Sequence, residues 1–377
     1  MQPVNIGIIG CGNISDTYFN GAKGSDVVRV KACADLRTEA AQAKALQHGV
    51  CAMSVQALLD DPDIEIVVNL TVPQAHAPVS EQILAAGKHV YLEKPLASDF
   101  GAAQRLLAHA ATRGLRVGCA PDTFLGAGHQ ACRAAIDAGR IGRPIGGSVA
   151  MLSRGMESWH PNPEFFFKPG GGPMHDVGVY YVTQLVNLLG PVARVSGCAS
   201  VGLPQRTVGS EPLRGQVIDV EVPTTVHGVL EFVNGANVAM SVSWDVWAHQ
   251  RAPIEIYGTE GSLLGVDPNW FGGTPRLSER GGPWQPMDIS AHPFGVENYT
   301  PNAGARVANY RGVGLTEMVL AMHRGRPHRA CGALALHVLE VLDAFGRSSG
   351  NGRHLGIECK IDRPEPVPTG ADENVFL

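Results

Sequence analysis

A carboxylate, an amine and a proline stand together at positions 93 to 95, and such a triplet can take part in acid–base chemistry. The apolar run from His89 to Leu92 predicts a short buried strand that ends at Glu93, Lys94 and Pro95. In an open α/β sheet, ligands bind in the crevice beyond the carboxyl ends of the strands. The triplet therefore lies where a ligand would bind, and the Lys94–Pro95 bond is of the kind that can be cis. Taken alone, the triplet is more typical of a surface turn with a solvated lysine.

Asp176 and Tyr180 form a second pair of side chains that can bind a substrate or move a proton. They follow three glycines, at positions 170 to 172, which indicate a flexible or closely approached loop. A helix is predicted after the loop, and residues four apart share one face of a helix. Gly178 costs about 1 kcal/mol against alanine in a helix interior, which indicates that something packs closely there. Taken alone, the pattern is equally typical of an amphipathic helix with an acid in its first turn.

The first strand, Val4 to Ile9, runs into a glycine-rich turn with the sequence GCGNIS. Gly10 allows the tight turn, Gly12 lets the backbone approach a pyrophosphate, and the following helix N-terminus offers unpaired amide donors. Asp35 ends the next strand about 20 residues further on, where an acid accepts a hydrogen bond from the ribose of NAD. Arg37 is placed to meet a 2′-phosphate or to stack on adenine. The sequence predicts NAD as the cofactor and leaves NADP open.

Two different patterns of strands determine the predicted fold class. Strands and helices alternate up to about residue 120, which predicts a doubly wound parallel sheet of the Rossmann type. Later strands alternate apolar and polar residues, as at Val238, Met240 and Val242. This alternation is typical of an antiparallel sheet with one covered face. The predicted class is α/β, with an N-terminal Rossmann sheet and a C-terminal α+β domain that has a large, mostly antiparallel open sheet.

The 377 residues suit two domains better than one. We predict a dinucleotide-binding domain over residues 1–121 and a substrate-binding and oligomerisation domain over 122–377, with a last helix at about 330–349 that packs back on the first domain. The runs 202–215 and 267–293 are rich in Gly and Pro, and we assign them no secondary structure. The open face of the antiparallel sheet predicts a homodimer or homotetramer, because large exposed patches usually mark interfaces.

Composition and charge limit the partners and the compartment. A net charge of −5 gives no basic field for nucleic acid or anionic lipid, and no apolar run approaches the ~20 residues of a membrane span. The chain enters its first strand without a charged leader and an apolar signal core before it. The 8 cysteines form no C-x-x-C pair, and the 14 histidines form no H-x-x-x-H pattern. We therefore expect a cytoplasmic protein without disulfides or a metal site.

The order of these motifs resembles the glucose–fructose oxidoreductase / inositol dehydrogenase / MocA family. The matching stretches are GCGNIS, Asp35, TVPQAHAPV, GKHVYLEKPLA and GGG…DVGVY, which together extend over residues 5–181. Beyond residue 181 the likeness is one of architecture. The resemblance implies that Lys94 reaches the substrate hydroxyl and the nicotinamide ribose and that Glu93 orients the site. It also implies that Asp176 binds substrate and that Pro73 and His76 line the nicotinamide side.

The residue at position 180 indicates the branch of the family and the route of the proton. Polyol dehydrogenases of the family usually have a histidine where this chain has Tyr180, whereas the tyrosine resembles the glucose–fructose oxidoreductase and dihydrodiol dehydrogenase branches. A free phenol, with a pKa of about 10, is a weak base at neutral pH, and a nearby Lys⁺ favours the phenolate. We predict that Tyr180 is the general acid/base and Lys94 the cation beside it. His175 is the alternative proton carrier.

Two further pairs of residues are candidates to line a substrate pocket. Trp159 is suited to stack on a sugar face and His160 to hydrogen-bond hydroxyls, and the alternative for this segment is an ordered loop with a buried tryptophan. Asp122 and Thr123 follow the last Rossmann strand at its carboxyl end, where ligands bind.

The complete predicted site has three overlapping sets of residues. The catalytic residues are Lys94, Asp176 and Tyr180; the cofactor-binding residues are Gly10, Gly12, Asn13, Ile14, Asp35, Arg37, Thr71, Pro73, His76, Glu93 and Lys94; and the substrate-binding residues are Lys94, Asp122, Thr123, Trp159, His160, Asp176 and Tyr180.

Residues and resemblance together predict an NAD(P)-dependent oxidoreductase that acts on a CH–OH group of a sugar or sugar-derived substrate. An aldose, for example a pentose such as apiose, oxidised at C1 to a lactone is the specific form that we favour. Two alternatives stay open because a fold does not fix a function. One is an NAD-dependent glycoside hydrolase of the same fold, and the other is a non-catalytic NAD(P)-binding sensor.

Overall fold

The computed structural model describes residues 2–23, 25–301, 304–370 and 376. It divides into two compact units. The first unit comprises Met1–Leu125, Tyr310–Leu336 and Val367–Leu377, and the second comprises Gly126–Asn309 and His337–Pro366. None of the helices in the described residues combines the length and the apolar character needed to cross a membrane.

The first unit is built on a parallel sheet. In the described part of the chain this sheet has six strands in the order β3-β2-β1-β4-β5-β6, which confirms the predicted Rossmann arrangement. Its elements are β1 (Val4–Ile9), α1 (Ser15–Lys23), β2 (Val28–Ala34), α2 (Thr38–His48), β3 (Cys51–Ala52), α3 (Val55–Asp60), β4 (Ile66–Asn69), α4 (Pro73–Ala85), β5 (His89–Leu92), α5 (Phe100–Thr112) and β6 (Val117–Cys119).

Local sequence explains where these elements begin. All four residues of β4 are buried, as a continuous apolar run in a parallel sheet requires. The Ser54 side chain accepts a hydrogen bond from the Ala57 N–H at the start of α3, and Asp99 accepts one from Ala102 at the start of α5. Both side chains satisfy an amide that has no partner within the first turn of its helix.

The first unit is discontinuous, because it also contains the later segments Tyr310–Leu336 and Val367–Leu377. The N–H of Cys119 donates to the carbonyl of Ala330 at 3.0 Å, and Gly118 forms an isolated β-bridge with Cys331. Helix α8 (Val313–His323) belongs wholly to this unit. The division between the units falls inside the last helix, α9 (Gly332–Asn351), after Leu336.

The second unit is built on a mixed, mostly antiparallel sheet, as predicted. Over the residues that the structure describes, this sheet has nine strands in the order β16-β15-β14-β13-β7-β12-β11-β8-β17. Only the β12–β7 pairing within it is parallel. The elements are α6 (Ala127–Asp137), β7 (Pro144–Leu152), α7 (Val179–Leu189), β8 (Val192–Ser200), β9 (Gln205–Thr207), β10 (Val217–Asp219), β11 (Thr225–Phe232), β12 (Asn237–Ser243), β13 (Ile254–Gly258), β14 (Gly261–Leu264), β15 (Arg276–Glu279), β16 (Gln285–Pro286) and β17 (Leu355–Gly356).

One face of this large sheet is covered, and the other is exposed. In β12, Val238, Met240 and Val242 are buried while Asn237 and Ala239 are exposed. The burial follows the two-residue period of a strand, so the predicted alternation is confirmed.

Several strands lie where the sequence predicts only loops. Strand β9 falls in the run 202–215, and β15 and β16 fall in the run 267–293. These strands have between two and four residues and include polar and proline residues, so their periodicity is too short to detect. They form because a neighbouring strand supplies hydrogen-bond partners, as β14 does for β15.

The helix predicted after the three glycines begins differently from an ordinary α-helix. Met174–Gly178 is a π-helical turn, and the α-helix proper is α7, which starts at Val179. The expectation that Asp176 and Tyr180 share an α-helical face is therefore wrong over the first of the two turns. π-Helical turns in an α-helix occur frequently at functional sites.

Candidate active site

The glycine-rich turn has the geometry that a dinucleotide requires. Gly10 has a φ of 101°, and a Cβ there would lie 2.5 Å from the Leu70 carbonyl oxygen, so the position needs glycine for the fold itself. A Cβ at Gly12, in contrast, would meet no heavy atom of the described residues within 4 Å. The turn then leads directly into α1 at Ser15, whose N-terminal amides can bind a phosphate. Gly12 therefore borders open space, which leaves its backbone accessible to a pyrophosphate.

Asp35 connects the end of β2 to this turn. Its carboxylate accepts hydrogen bonds from the Cys11 N–H at 2.8 Å and from the Arg37 N–H at 2.8 Å. The Asp35 side chain is 14% exposed and the Arg37 side chain 75% exposed, so Asp35 is fixed and Arg37 extends into solvent. These positions suit a fixed acceptor for a ribose hydroxyl and a cation that can reach the adenine end.

The turn after β5 is organised around Glu93. One carboxylate oxygen accepts from the Tyr18 hydroxyl at 2.8 Å, and the other accepts from the backbone N–H of Lys94 at 3.1 Å. Burial, together with the Glu93 charge, raises the pKa of Tyr18 well above its usual value, so the phenol stays protonated and donates. Lys94 is half-buried, and its bond to Pro95 is cis. Glu93 thus fixes the backbone that carries the predicted catalytic lysine.

The segment between β4 and α4 is fixed against the same turn. His76 is 1% exposed, and its ring nitrogens lie 2.6 Å from the Pro95 carbonyl and 3.0 Å from the Thr71 carbonyl. Burial lowers the pKa of His76, although the two carbonyls oppose this shift. Asn69 accepts from the Thr71 hydroxyl at 2.7 Å, and Pro73 starts α4. His76 therefore links the predicted nicotinamide-side segment to the Lys94–Pro95 turn.

Asp122 and Thr123 do not present free polar groups to a ligand. Asp122 is 1% exposed, and Thr123 is 2% exposed. The Asp122 carboxylate accepts from the backbone N–H groups of Gly312 and Gly314, each at 2.9 Å, and from the Tyr91 hydroxyl at 3.4 Å. Burial raises the pKa of Asp122, and the two backbone donors oppose this. These contacts give Asp122 a structural role in the first unit, and the burial of both side chains limits their access to a ligand.

In the second unit, Asp176 and His160 come close together. Burial lowers the pKa of His160, and the negative charge of Asp176 opposes that shift. Asp176 is half-buried in the π-helical turn, and Tyr180 is 8% exposed one turn later. The structure therefore places the Asp176 carboxylate near the His160 imidazole, and Tyr180 follows Asp176 by four residues along the same helix.

The loop that carries His160 also presents Trp159. The Trp159 side chain is 59% exposed, so the alternative of a buried tryptophan is wrong. Its ring meets His160 edge-on at 5.5 Å, and His160 in turn packs edge-on against Phe166 at 5.1 Å. An exposed indole beside a supported imidazole is suited to contact the apolar and hydroxyl parts of a sugar.

His175, the alternative proton carrier, faces a different environment. Its Nε2 lies 2.9 Å from the Asp343 carboxylate, and both side chains are 29% exposed. They line a pocket of about 380 Å³ between the three-glycine loop and α9. Trp159, His160, Asp176 and Tyr180 are not among the residues that line it, so this pocket is separate from the substrate set.

Three contacts of the site involve residues that the sequence analysis does not single out. Tyr18 supports Glu93, Asn69 holds Thr71, and Arg206 holds the loop that carries Trp159. Tyr18 and Glu93 are 75 residues apart, and Arg206 and Glu157 are 49 apart. No local spacing pattern could reveal these two long-range contacts. Among the described residues, no group of three or more His, Cys, Asp or Glu could hold a metal ion.

Comparison with known proteins identifies the family. A model described as the oxidoreductase family with an NAD-binding Rossmann fold matches residues 4–120, and a model of the GFO/IDH/MocA C-terminal domain matches residues 129–264. The dTDP-3,4-didehydro-2,6-dideoxy-alpha-D-glucose 3-reductase of Streptomyces violaceoruber is 31% identical over 271 residues, which cover 70% of this chain and 72% of the relative. The chain belongs to the GFO/IDH/MocA oxidoreductase family.

Other family members show the same relation. The 1,5-anhydro-D-fructose reductase of Ensifer adhaerens is 29% identical over 267 residues, covering 69% of this chain and 74% of the relative. The structure of a levoglucosan dehydrogenase in complex with NADH and L-sorbose superposes with a TM-score of 0.80 at 22% identity, over 94% of this chain and 99% of the other. This GFO/IDH/MocA protein is therefore a sugar-related NAD(P)-dependent oxidoreductase, and its N-terminal domain binds NAD.

Proposed function

We propose that this enzyme oxidises a hydroxyl of a neutral sugar. In the form that we favour, the substrate is an aldose, for example the pentose apiose, which is oxidised at C1 to its lactone. The observation that carries the proposal is the group formed by Trp159, His160 and Asp176 in the second unit. An exposed indole, an imidazole and a carboxylate suit a polyhydroxylated ring, which has an apolar face and hydroxyls that both donate and accept. The names of the relatives, which are sugar reductases, support the same substrate class.

The proposed roles follow from the chemistry of each residue. When bound, NAD⁺ supplies the hydride acceptor. Tyr180, as phenolate, takes the proton of the reacting hydroxyl, and the Lys94 ammonium stabilises that phenolate and hydrogen-bonds the substrate oxygen. Asp176 and His160 orient the ring through its other hydroxyls. For an aldose, the C1 hydroxyl loses its proton to Tyr180 as C1 loses hydride, which leaves the lactone carbonyl.

A substrate panel tests the reaction. We would follow reduction of NAD⁺ and NADP⁺ by absorbance with aldoses, polyols, cyclitols and uronic acids. Lys94→Ala is the blank, and Lys360→Ala, which removes an exposed lysine, is the matched control. We expect turnover of one class of sugar that Lys94→Ala abolishes and Lys360→Ala retains. Cofactor binding without turnover on any substrate would contradict the proposal, and release of sugar from a synthetic glycoside without net NADH would indicate a hydrolase.

A second experiment tests the proton carrier. Tyr180→Phe should reduce kcat by about 10²- to 10⁴-fold, the usual contribution of general acid–base catalysis, and should remove the acidic limb of the pH profile, on which the base becomes protonated. Tyr181→Phe removes the neighbouring hydroxyl, also buried at 5% exposure, and should retain activity. Near-normal kcat in Tyr180→Phe across the pH range would reject this role and direct attention to Lys94 or His175.

We also propose a homodimer or homotetramer formed through the open face of the large sheet. Val229 on β11 and Tyr257 on β13 are 39% and 37% exposed on it, and the small residues Gly146, Ser148 and Ala239 between them make the face flat. A monomer by light scattering at micromolar concentration would contradict this. We propose a cytoplasmic location, supported by the 8 cysteines, which all lie in the described residues as free thiols.

A further inference from the structure

The loop that carries Trp159 and His160 is anchored by a buried arginine from another strand. Arg206 lies on β9, and its side chain is 1% exposed. Its guanidinium donates to the Glu157 carboxylate at 2.9 Å and forms a short ion pair with Asp245. We call Glu157, Arg206 and Asp245 the buried ion cluster. A buried cation between two carboxylates holds both chain segments in register, because removing either partner leaves an unpaired charge in the interior.

Each member of the buried ion cluster belongs to a different segment. Glu157 is part of the loop itself, just before Trp159. Asp245 follows β12 and accepts from the hydroxyls of Thr224 and Thr225, at 2.7 and 2.5 Å. Arg206 therefore connects the loop to the rigid end of the large sheet.

The remaining contacts of the guanidinium fit its planar fork. It donates to the backbone carbonyls of Arg154 at 3.2 Å and Trp244 at 3.3 Å. Its centre lies 5.4 Å from the centroid of the Phe167 ring, and both Phe167 and Trp244 are fully buried. A planar guanidinium can donate several directed hydrogen bonds and pack on an aromatic ring at the same time, and a lysine ammonium cannot.

The strand that carries Arg206 also holds the loop through the residues that follow it. The N–H of Gly209 donates to the Glu157 carbonyl at 2.8 Å. The Ser210 hydroxyl donates to the carbonyl of His160 at 2.5 Å. The segment 206–210 therefore holds the loop backbone at Glu157, before Trp159, and again at His160.

We propose that Arg206 is a positioning residue for substrate binding, which holds residues 154–160 so that Trp159 and His160 meet the sugar in a fixed geometry. The inference rests on the proposed function, because it takes these two side chains to be the substrate contacts. Arg206 does not touch the reacting atoms, so its replacement should weaken sugar binding and leave the hydride and proton steps largely intact.

Arg206→Lys tests this proposal because it keeps the charge and removes the planar fork. We expect the KM for the sugar to rise about tenfold or more, as for a misplaced binding group, while kcat and the KM for NAD⁺ change less than about twofold. Hydrogen exchange followed by mass spectrometry should speed up over residues 154–160. The matched control is Arg140→Lys, which alters an Arg–Glu pair whose side chains are 46% and 50% exposed; it should change none of these quantities.

Ser210→Ala gives a milder test should Arg206→Lys fail to fold. It removes the hydrogen bond to the His160 carbonyl and leaves the buried ion cluster in place, so we expect a smaller rise in the same KM. Unchanged exchange over 154–160 and an unchanged KM for the sugar in a folded variant would overturn the proposal. A fall in kcat together with equal rises in the KM for the sugar and the KM for NAD⁺ would also overturn the proposal, because such changes indicate a general structural defect. Absence of sugar turnover by the unaltered enzyme would refute the proposed function, whereas the exchange measurement would still decide whether Arg206 anchors the loop.

Discussion

At the scale of single residues, the predicted catalytic lysine depends on a side chain from another helix. Glu93 accepts one hydrogen bond from the backbone of Lys94 and one from Tyr18 on α1. Glu93 is 9% exposed and Tyr18 is 3% exposed, so neither group can exchange its partner for bulk water. A buried carboxylate that loses a donor keeps its desolvation cost. The geometry of the Lys94 turn therefore depends on the Tyr18 hydroxyl.

Tyr18→Phe removes that hydroxyl with little change in shape. Leaving the Glu93 oxygen without its donor should cost about 1–3 kcal/mol in the free energy of unfolding, and kcat should fall because the Lys94 backbone loses its fixed support. Urea unfolding and steady-state kinetics measure the two effects.

The control for this change is a tyrosine at the surface. Tyr299 is 44% exposed, and its ring packs against Trp270 with 6.0 Å between the centroids. Tyr299→Phe should change stability by less than about 0.5 kcal/mol and leave kcat unaltered. Equal effects of the two substitutions would show that the Tyr18 contact has no special role.

At the scale of elements, the glycine-rich turn separates a residue required by the fold from one required by the ligand. Both Gly10 and Gly12 belong to the same motif, and sequence alone assigns them related roles. The structure distinguishes them, because a Cβ at Gly10 would lie 2.5 Å from a backbone oxygen of Leu70, whereas a Cβ at Gly12 would enter open space. Only Gly12 is therefore free to serve the cofactor alone.

Gly12→Ala should fold normally and bind NAD poorly. The new methyl group occupies the space through which a pyrophosphate approaches the backbone. We therefore expect the Kd for NADH to rise about tenfold or more, which corresponds to a loss of at least ~1.4 kcal/mol in binding free energy. The Tm should hardly change. Fluorescence titration with NADH and a thermal melt measure the two quantities.

Gly10→Ala is the contrasting variant of the same turn. Its positive φ and the contact with Leu70 should cost about 1–3 kcal/mol of stability, so its Tm should fall. Normal NADH affinity in Gly12→Ala would contradict the assignment of this turn to the pyrophosphate.

The elements that the sequence predicts well are those with long, regular patterns. The parallel strands are recognisable because a run such as Ile66–Asn69 is buried on both faces, and the caps Ser54 and Asp99 mark their helices by residue type. The short strands β9 and β15 are not recognisable, since each depends on a partner strand distant in sequence. The π-helical turn at Met174–Gly178 is also hidden, because its extra residue per turn is set by packing and not by a pattern.

At the scale of the whole chain, the order of the sequence does not match the division into units. The first unit includes residues 310–336 and 367–377 in addition to its N-terminal segment. The contacts of Asp122 give one reason for this. Its buried carboxylate needs donors, and the N–H groups of Gly312 and Gly314 provide them. A hydrogen-bonding requirement that is met only when two distant segments come together leaves no pattern in the sequence. The predicted site residues, in contrast, come from local motifs, which a sequence displays directly.

Each unit also contains a buried histidine that makes stability depend on pH. His129 in the second unit and His328 in the first are 0% and 9% exposed. Burial lowers the pKa of both from 6.5 to about 4. Because the folded state binds fewer protons than the unfolded state in this window, stability is fully present above pH 6.5 and is lost as the pH falls towards 4.

The size of this effect makes it measurable. One pKa unit corresponds to about 1.4 kcal/mol, so each histidine should remove about 3 kcal/mol from the free energy of unfolding of its unit between the two values. His129→Gln removes this titrating group from the second unit, so the stability of that unit should decline less steeply with falling pH. The substitution also removes the 2.7 Å contact with the Trp270 carbonyl, which lowers the stability at neutral pH. His249→Gln, which removes an exposed imidazole, is the control. Thermal melts at several pH values measure how steeply stability depends on pH. Equal pH dependence in His129→Gln and in the unaltered protein would contradict the prediction, because it would mean that His129 binds its proton equally well in the folded and unfolded states.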